Sequence, residues 1–95
     1  MDLSSVGMWC IANPAASEEM LKNNIEYACN YADCSVIGAG GVCYNPTSVI
    51  SHASVAMNLY YQATGKPPSS CDFMGTGLIV TSDPSYGDCT FEYRK

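Results

Sequence analysis

The chain has 95 residues, a net charge of −5 and six cysteines. That length holds one domain with a small core in need of reinforcement, and four basic residues against nine acidic ones exclude a nucleic-acid partner, whose phosphates Lys and Arg would have to neutralise. No apolar run approaches the ~20 residues of a membrane span, so no direct membrane insertion is expected.

Residues 1–7 read as a tail in which Met1 is a start residue added for expression. The stretch is too short for an export signal and carries Asp2, so any such signal has been removed. Met8 to Ala12 is a short apolar segment around Trp9 and Cys10, stopped by Asn13 and Pro14. A first helix starts at Ser17, whose hydroxyl caps the free N–H groups while Glu18 and Glu19 suit the positive helix end. Leu21, Ile25, Ala28 and Cys29 share one face at helical spacing. Met20, Asn24, Tyr27 and Tyr31 lie beside them and are expected to widen the core-facing arc. A bridge between Cys29 and Cys34 would pin the last turn, and Gly38, Gly40 and Gly41 follow as a loop.

Between Asp33 and Lys66 run 32 residues without Asp, Glu, Lys or Arg. Most of them form a second helix, with Asn45 as N-cap, Pro46 in the first turn and Gly65 as the left-handed terminator. Val49, Ala53, Ala56, Met57 and Tyr60 make its apolar stripe. Thr47, Ser51, Ser54, Asn58, Tyr61 and Gln62 occupy the other side, with His52 and Leu59 at the border. An exposed helix normally carries charge on its outer face, so this neutral side is either buried or meets something neutral. After Lys66, Pro67 and Pro68, extended segments are expected at Ser70–Met74, Gly77–Ser82 and Cys89–Tyr93. The fold class is therefore α+β, two main helices packed with a small antiparallel sheet, in one module over residues 8–93 with 94–95 as a tail.

Six cysteines in so short a chain indicate a disulfide framework and an oxidising, extracellular compartment, with 15 connectivities open. With no CxxC and with His52 the only histidine, neither a metal nor a cofactor is expected. Among the carboxylates, Glu26, Asp33, Asp72, Asp83 and Asp88 offer no pair that spacing singles out for glycoside hydrolysis. No nucleophile elbow, phosphate loop or zinc-protease motif is present, so no enzymatic activity is expected. Seven tyrosines, against two phenylalanines and one tryptophan, suit a neutral sugar, because the phenol joins an apolar ring to a polar tip.

The ordered motifs Trp9-Cys10, Tyr27-Ala28-Cys29, Asp33-Cys34, Cys43-Tyr44-Asn45-Pro46, His52-Ala53-Ser54, Asn58 with Tyr60-Tyr61-Gln62, Cys71-Asp72-Phe73 and Asp83-Pro84-Ser85-Tyr86-Gly87 span residues 8 to 93. In this combination the chain resembles the plant family 43 carbohydrate-binding module. The resemblance implies a non-catalytic domain that binds β-1,3-glucan (callose, laminarin) in the cell wall or at plasmodesmata, and a secreted monomer is expected. It also implies bridges joining Cys10 to Cys71, Cys29 to Cys34 and Cys43 to Cys89. Relatives of that family carry an aromatic residue where this chain has Val55, which is expected on the polar side of helix two beside Gln62. The competing readings are a secreted protein-interaction module and a small glucan hydrolase.

For the ligand, Tyr61 with Asn58 and Gln62 is the first expectation, a ring to stack and amides to read hydroxyls on the charge-free face. Tyr44 and Tyr86, in loop or turn contexts, are further candidates. His52 is expected first as a hydrogen-bonded residue at the edge of the core and second as a sugar contact. Asp72 accepts either a sugar hydroxyl or a backbone N–H beside Cys71. Trp9, Tyr60 and Phe73 are assigned to packing.

Overall fold

The computed structural model describes residues 7–95; of the tail expected at 1–7, all but Gly7 lies outside the described residues. Strand β1 (Trp9–Ala12) is followed by helix α1 (Glu18–Tyr31), helix α2 (Val49–Ala63) and strand β2 (Gly77–Val80), with single 3₁₀ turns at Ser35–Ile37, Pro68–Cys71 and Phe73–Gly75. The fold is α+β and carries the three bridges Cys10–Cys71, Cys29–Cys34 and Cys43–Cys89.

Both helices are capped by chemistry visible in the sequence, although α2 starts later than expected. Ser17 Oγ accepts from Met20 N (3.2 Å) ahead of α1. For α2 the cap is Ser48, whose Oγ accepts from Ser51 N (3.2 Å), while Asn45 and Pro46 lie in the preceding loop. At the other end Gly65 takes φ +90°, the Lys66 N–H bonds the Tyr61 carbonyl and the Gly65 N–H bonds the Gln62 carbonyl. That pair of bonds is the Schellman termination, which needs a residue free to adopt positive φ.

The sheet differs from expectation. Among the described residues the sheet consists of β1 and β2, antiparallel, with Trp9 opposite Val80 and Ala12 opposite Gly77. The Ser70–Met74 segment is not a strand. Its backbone turns back on itself, and Gly75, Thr76 and Gly77 all donate to the Asp72 carbonyl. Cys89–Tyr93 is not a strand either: Cys89 bonds back to Tyr86, Phe91 N donates to Ser85 Oγ, and the Glu92 carbonyl and Arg94 N are taken by side chains of α2.

That exchange of partners explains the uncharged helix. Along α2, Ser54, Asn58 and Gln62 stand four residues apart and face the open edge of β1. Ser54 Oγ accepts from Ala12 N (3.0 Å), Asn58 Oδ1 from Cys10 N (3.1 Å), and Gln62 Nε2 donates to the Met8 carbonyl (2.9 Å). Four helical residues rise about 6 Å and two strand residues about 6.7 Å, so the two periods stay nearly in step over this length. The same amides reach the C-terminal segment: Asn58 Nδ2 donates to the Glu92 carbonyl (2.8 Å) and Gln62 Oε1 accepts from Arg94 N (2.9 Å). One polar row on a helix thus does for two backbone segments what a strand would do. A charged side chain in that row would be buried without a counter-charge.

Around this row α2 is buried on most sides. Cys10, Ala12, Leu21, Ala53, Met57, Tyr61 and Cys71 form one apolar cluster and Trp9, Cys43, Val55, Cys89 and Phe91 a second. Val55 is therefore a core residue, which corrects its expected place on an exposed polar side. No described helix is long and apolar enough to cross a membrane.

Candidate functional site

Tyr61, Asn58 and Gln62 are not a surface. Their exposures are 0 %, 1 % and 1 %, and the amides are committed to the backbone ladder, so the first-choice ligand face is corrected to an interior one. Burial, with a smaller push from the nearby Tyr93, raises the Tyr61 phenol above its ordinary value. The sequence showed the neutral stripe correctly, but a helix wheel does not say which neutral side has a partner.

Tyr44, His52 and Tyr86 come together near the first turn of α2. His52 Nε2 donates to the Tyr44 carbonyl (2.7 Å), and the two rings stand 5.9 Å apart. The Tyr86 and Ser51 hydroxyls share a 2.8 Å hydrogen bond, and the Cys43–Cys89 bridge ties the Tyr44 loop to the Tyr86–Cys89 turn. Their visible contacts hold loops to the helix, which is the first role expected of His52.

Tyr86 and Ser51 also line a shallow hollow of about 180 Å³. A larger concave site lies between α1, α2 and the Pro68–Gly75 turns. It is an open groove of about 430 Å³, lined by Asn23, Asn24 and Tyr27 from α1, Tyr60 from α2, and Ser69, Ser70, Phe73 and Met74. Tyr27 and Tyr31 are 60 % and 65 % exposed, which corrects their assignment to the core. The physical reason is geometric. With Leu21, Ile25 and Ala28 already turned inward, adding Met20, Tyr27 and Tyr31 makes an arc of roughly 160°, wider than α2 alone covers.

The rings of the groove and the adjoining Tyr31 support one another edge to face. Tyr60 lies 5.4 Å from Tyr27, 5.2 Å from Tyr31 and 5.7 Å from Phe73 between ring centres. Such tilted pairs are worth about 0.5–1.5 kcal/mol each beyond their burial, so the groove wall is preorganised. The Tyr27 and Tyr60 hydroxyls stand 3.4 Å apart. That hydrogen bond, then desolvation and the neighbouring Tyr27 and Tyr31, raise the Tyr60 phenol above 10.0. Tyr60 is therefore uncharged at neutral pH.

None of the lining residues is Asp, Glu, Lys or Arg. A charged ligand would find no counter-charge there, whereas a neutral polyol finds ring faces together with the amide of Asn23 and the hydroxyls of Ser69 and Ser70. Asn24 is partly occupied, donating from Nδ2 to Thr76 Oγ1 (2.8 Å). Asp72 is exposed and precedes Phe73 in the turn that closes the groove. No group of three or more potential metal-ligating side chains occurs among the described residues.

Fold and groove together define a small disulfide-stapled module with a rigid, neutral, aromatic cleft. The family model of the X8 domain matches residues 8–78, and the chain belongs to that family, consistent with the resemblance to the plant family 43 module. It is 50 % identical over 88 residues to a glucan endo-1,3-beta-glucosidase of Triticum aestivum, covering 93 % of this chain and 19 % of that protein. Against the major pollen allergen Ole e 10 of Olea europaea it is 47 % identical over 85 residues, covering 87 % and 69 %. Against plasmodesmata callose-binding protein 2 of Arabidopsis thaliana it is 39 % identical over 84 residues, covering 87 % and 43 %. The chain thus spans about a fifth of the length of the wheat glucosidase and most of that of the allergen.

Proposed function

We propose that this protein binds β-1,3-glucan of the callose or laminarin type, without catalysis and as a monomer, in the groove between α1 and α2. The observation that carries the reading is a 430 Å³ cleft walled by aromatic rings and neutral hydrogen-bonding groups, on a member of the X8 family. Two relatives, a glucan endo-1,3-beta-glucosidase and a callose-binding protein, point to the same polymer.

In this reading Tyr27, Tyr31 and Phe73 offer ring surface to the apolar faces of successive glucosyl units. Asn23, Ser69, Ser70 and the exposed Asp72 take the hydroxyls. Tyr44, His52 and Tyr86 remain outside the groove. In this reading hydrolysis is left to the part of the glucosidase relative that this chain, spanning 19 % of it, does not match. Three disulfides fit an oxidising compartment, and the relatives favour the plant cell wall or plasmodesmata.

An open cleft that meets a few sugar units supports micromolar to millimolar affinity, about −8 to −4 kcal/mol, and a repetitive polymer strengthens retention through rebinding. The test is calorimetric titration of the oxidised protein with laminarihexaose and cellohexaose, with a reducing-end assay on laminarin alongside. Saturable binding of the β-1,3 oligomer with no new reducing ends is expected. Absence of binding overturns the glucan reading, and release of reducing ends overturns the non-catalytic one.

A further inference from the structure

At the rim of the groove the backbone enters an unfavourable region at two successive side-chain-bearing residues. Phe73 and Met74 take φ +45° and +56°, and Gly75 follows at +84°. The left-handed region is natural for glycine but unfavourable for side chains with a Cβ, so two successive non-glycine residues there persist only where the surroundings impose them.

The surroundings do impose them. Just before the turn, Cys71 is buried and bridged to Cys10 of β1. Just after it, Thr76 is buried, its hydroxyl donating to the Phe73 carbonyl (2.6 Å) while accepting from Asn24 Nδ2 (2.8 Å) on α1. Gly77 backs onto the Cys71 carbonyl so closely that a Cβ there would stand 1.8 Å from its oxygen. Both ends of the turn are fixed, and the strain is held between them.

What the strained pair delivers is a division of labour. The Phe73 ring turns inward against Tyr60 (5.7 Å) and Tyr27 (6.5 Å). Met74 turns outward and is 87 % exposed, yet it still lines the groove. A lone exposed apolar residue means little. One held out at the mouth of a cleft by two unfavourable backbone conformations has no packing role to account for it. Its unbranched thioether is soft and adaptable, well suited to covering an irregular apolar face.

We infer that Met74 is a ligand-contacting residue of this site, presented by the strained Asp72–Gly75 turn to cover the apolar face of a glucosyl unit beyond the aromatic wall. This rests on the glucan reading above. Because the side chain is free in solution and partly covered in the complex, its loss weakens binding without weakening the fold.

The experiment measures laminarihexaose affinity by calorimetry and thermal stability for the wild type, Met74→Ala, Met74→Leu, Met74→Gly and Met74→Val. Met74→Ala and Met74→Gly are expected to bind about five-fold more weakly, while Met74→Leu stays within about two-fold of the wild type. Met74→Gly suits positive φ and keeps or raises the melting temperature, whereas the β-branched Met74→Val lowers it by about 5 °C. Wild-type binding with unchanged affinity in Met74→Ala overturns this inference alone. Failure of the wild type to bind overturns the glucan reading and this inference with it. A Met74→Gly variant that loses stability along with affinity also overturns it, since Met74 would then be a packing residue.

Discussion

Replacing Asn58 by Ala removes the centre of the ladder by which α2 holds β1 and the C-terminal segment. Asn58 Oδ1 accepts from Cys10 N and from Gln62 Nε2 (3.2 Å), and Nδ2 donates to the Glu92 carbonyl. Truncation leaves the Cys10 N–H, in a fully buried residue, without an acceptor, at about 1–3 kcal/mol. The Glu92 carbonyl loses a partner at about 1 kcal/mol, and the small cavity adds a similar amount. The total is about 4 kcal/mol, a large share of the ~5–15 kcal/mol of a typical domain. For a chain of this size it corresponds to a fall of about 20 °C in Tm. Denaturant unfolding of the oxidised protein, followed by circular dichroism, measures it. Asn58→Asp sharpens the test, because it keeps an acceptor but buries a carboxylate without a cation. Burial raises that carboxyl's pKa in the folded state, so the penalty is full at neutral pH and shrinks as pH falls and the group protonates. A cost under about 1 kcal/mol for Asn58→Ala, or an Asn58→Asp variant indifferent to pH, would refute the ladder as the reason α2 is uncharged.

Tyr27→Ala is expected to weaken laminarihexaose binding by about 1–2 kcal/mol, read by calorimetry, while costing no more than about 1 kcal/mol of stability, since the ring is mostly exposed. Val55→Ala should do the reverse, costing about 2 kcal/mol in denaturant unfolding and leaving affinity unchanged, because Val55 is buried in the cluster with Trp9, Cys43, Cys89 and Phe91 rather than facing a ligand. Converting Cys29 and Cys34 together to Ser is expected to cost about 2 kcal/mol on the chain-entropy model, against about 4 kcal/mol for Cys10 and Cys71, whose separation in sequence is 61 rather than 5. Calorimetric scans of the two double variants compare them. The raised phenols of Tyr60 and Tyr61 contribute stability that is whole below the ordinary tyrosine value of 10.0 and is lost as pH rises through their higher folded values. Their contribution to denaturation midpoints should therefore fall away only above pH 10.0, and Tyr60→Phe should remove its share.

Local chemistry made much of the fold legible. The Ser17 cap, the Gly65 terminator and the Leu21, Ile25, Ala28 face each depend on one or a few neighbours, and sequence spacing reports neighbours well. The sheet was misread because the bonds of Cys89–Tyr93 are decided by α2, far away in the chain, and because Asp72–Gly75 folds into a strained turn that no propensity favours. The disulfide pairing came with the family resemblance, not with the spacing of the cysteines. For the site, the uncharged run was the right signal attached to the wrong face. Ser54, Asn58 and Gln62 look alike on a wheel whether they meet sugar or backbone, and only the arrival of β1 at the same period decides between them. The groove had a signal of its own in Met20, Asn24, Tyr27 and Tyr31, a stripe rich in polar-tipped residues beside an apolar face already sufficient for the core. That excess of width was the clue that Tyr27 and Tyr31 would remain outside.

The most direct test of the glucan site is a ¹⁵N-resolved NMR titration of the oxidised protein with laminarihexaose, using cellohexaose as the control. Saturable shifts are expected for the β-1,3 oligomer, concentrated on Asn23, Tyr27, Tyr31, Ser69, Phe73 and Met74, with Tyr44, His52 and Tyr86 unmoved. Shifts confined to Tyr44, His52 and Tyr86, or none at all, would contradict the glucan site.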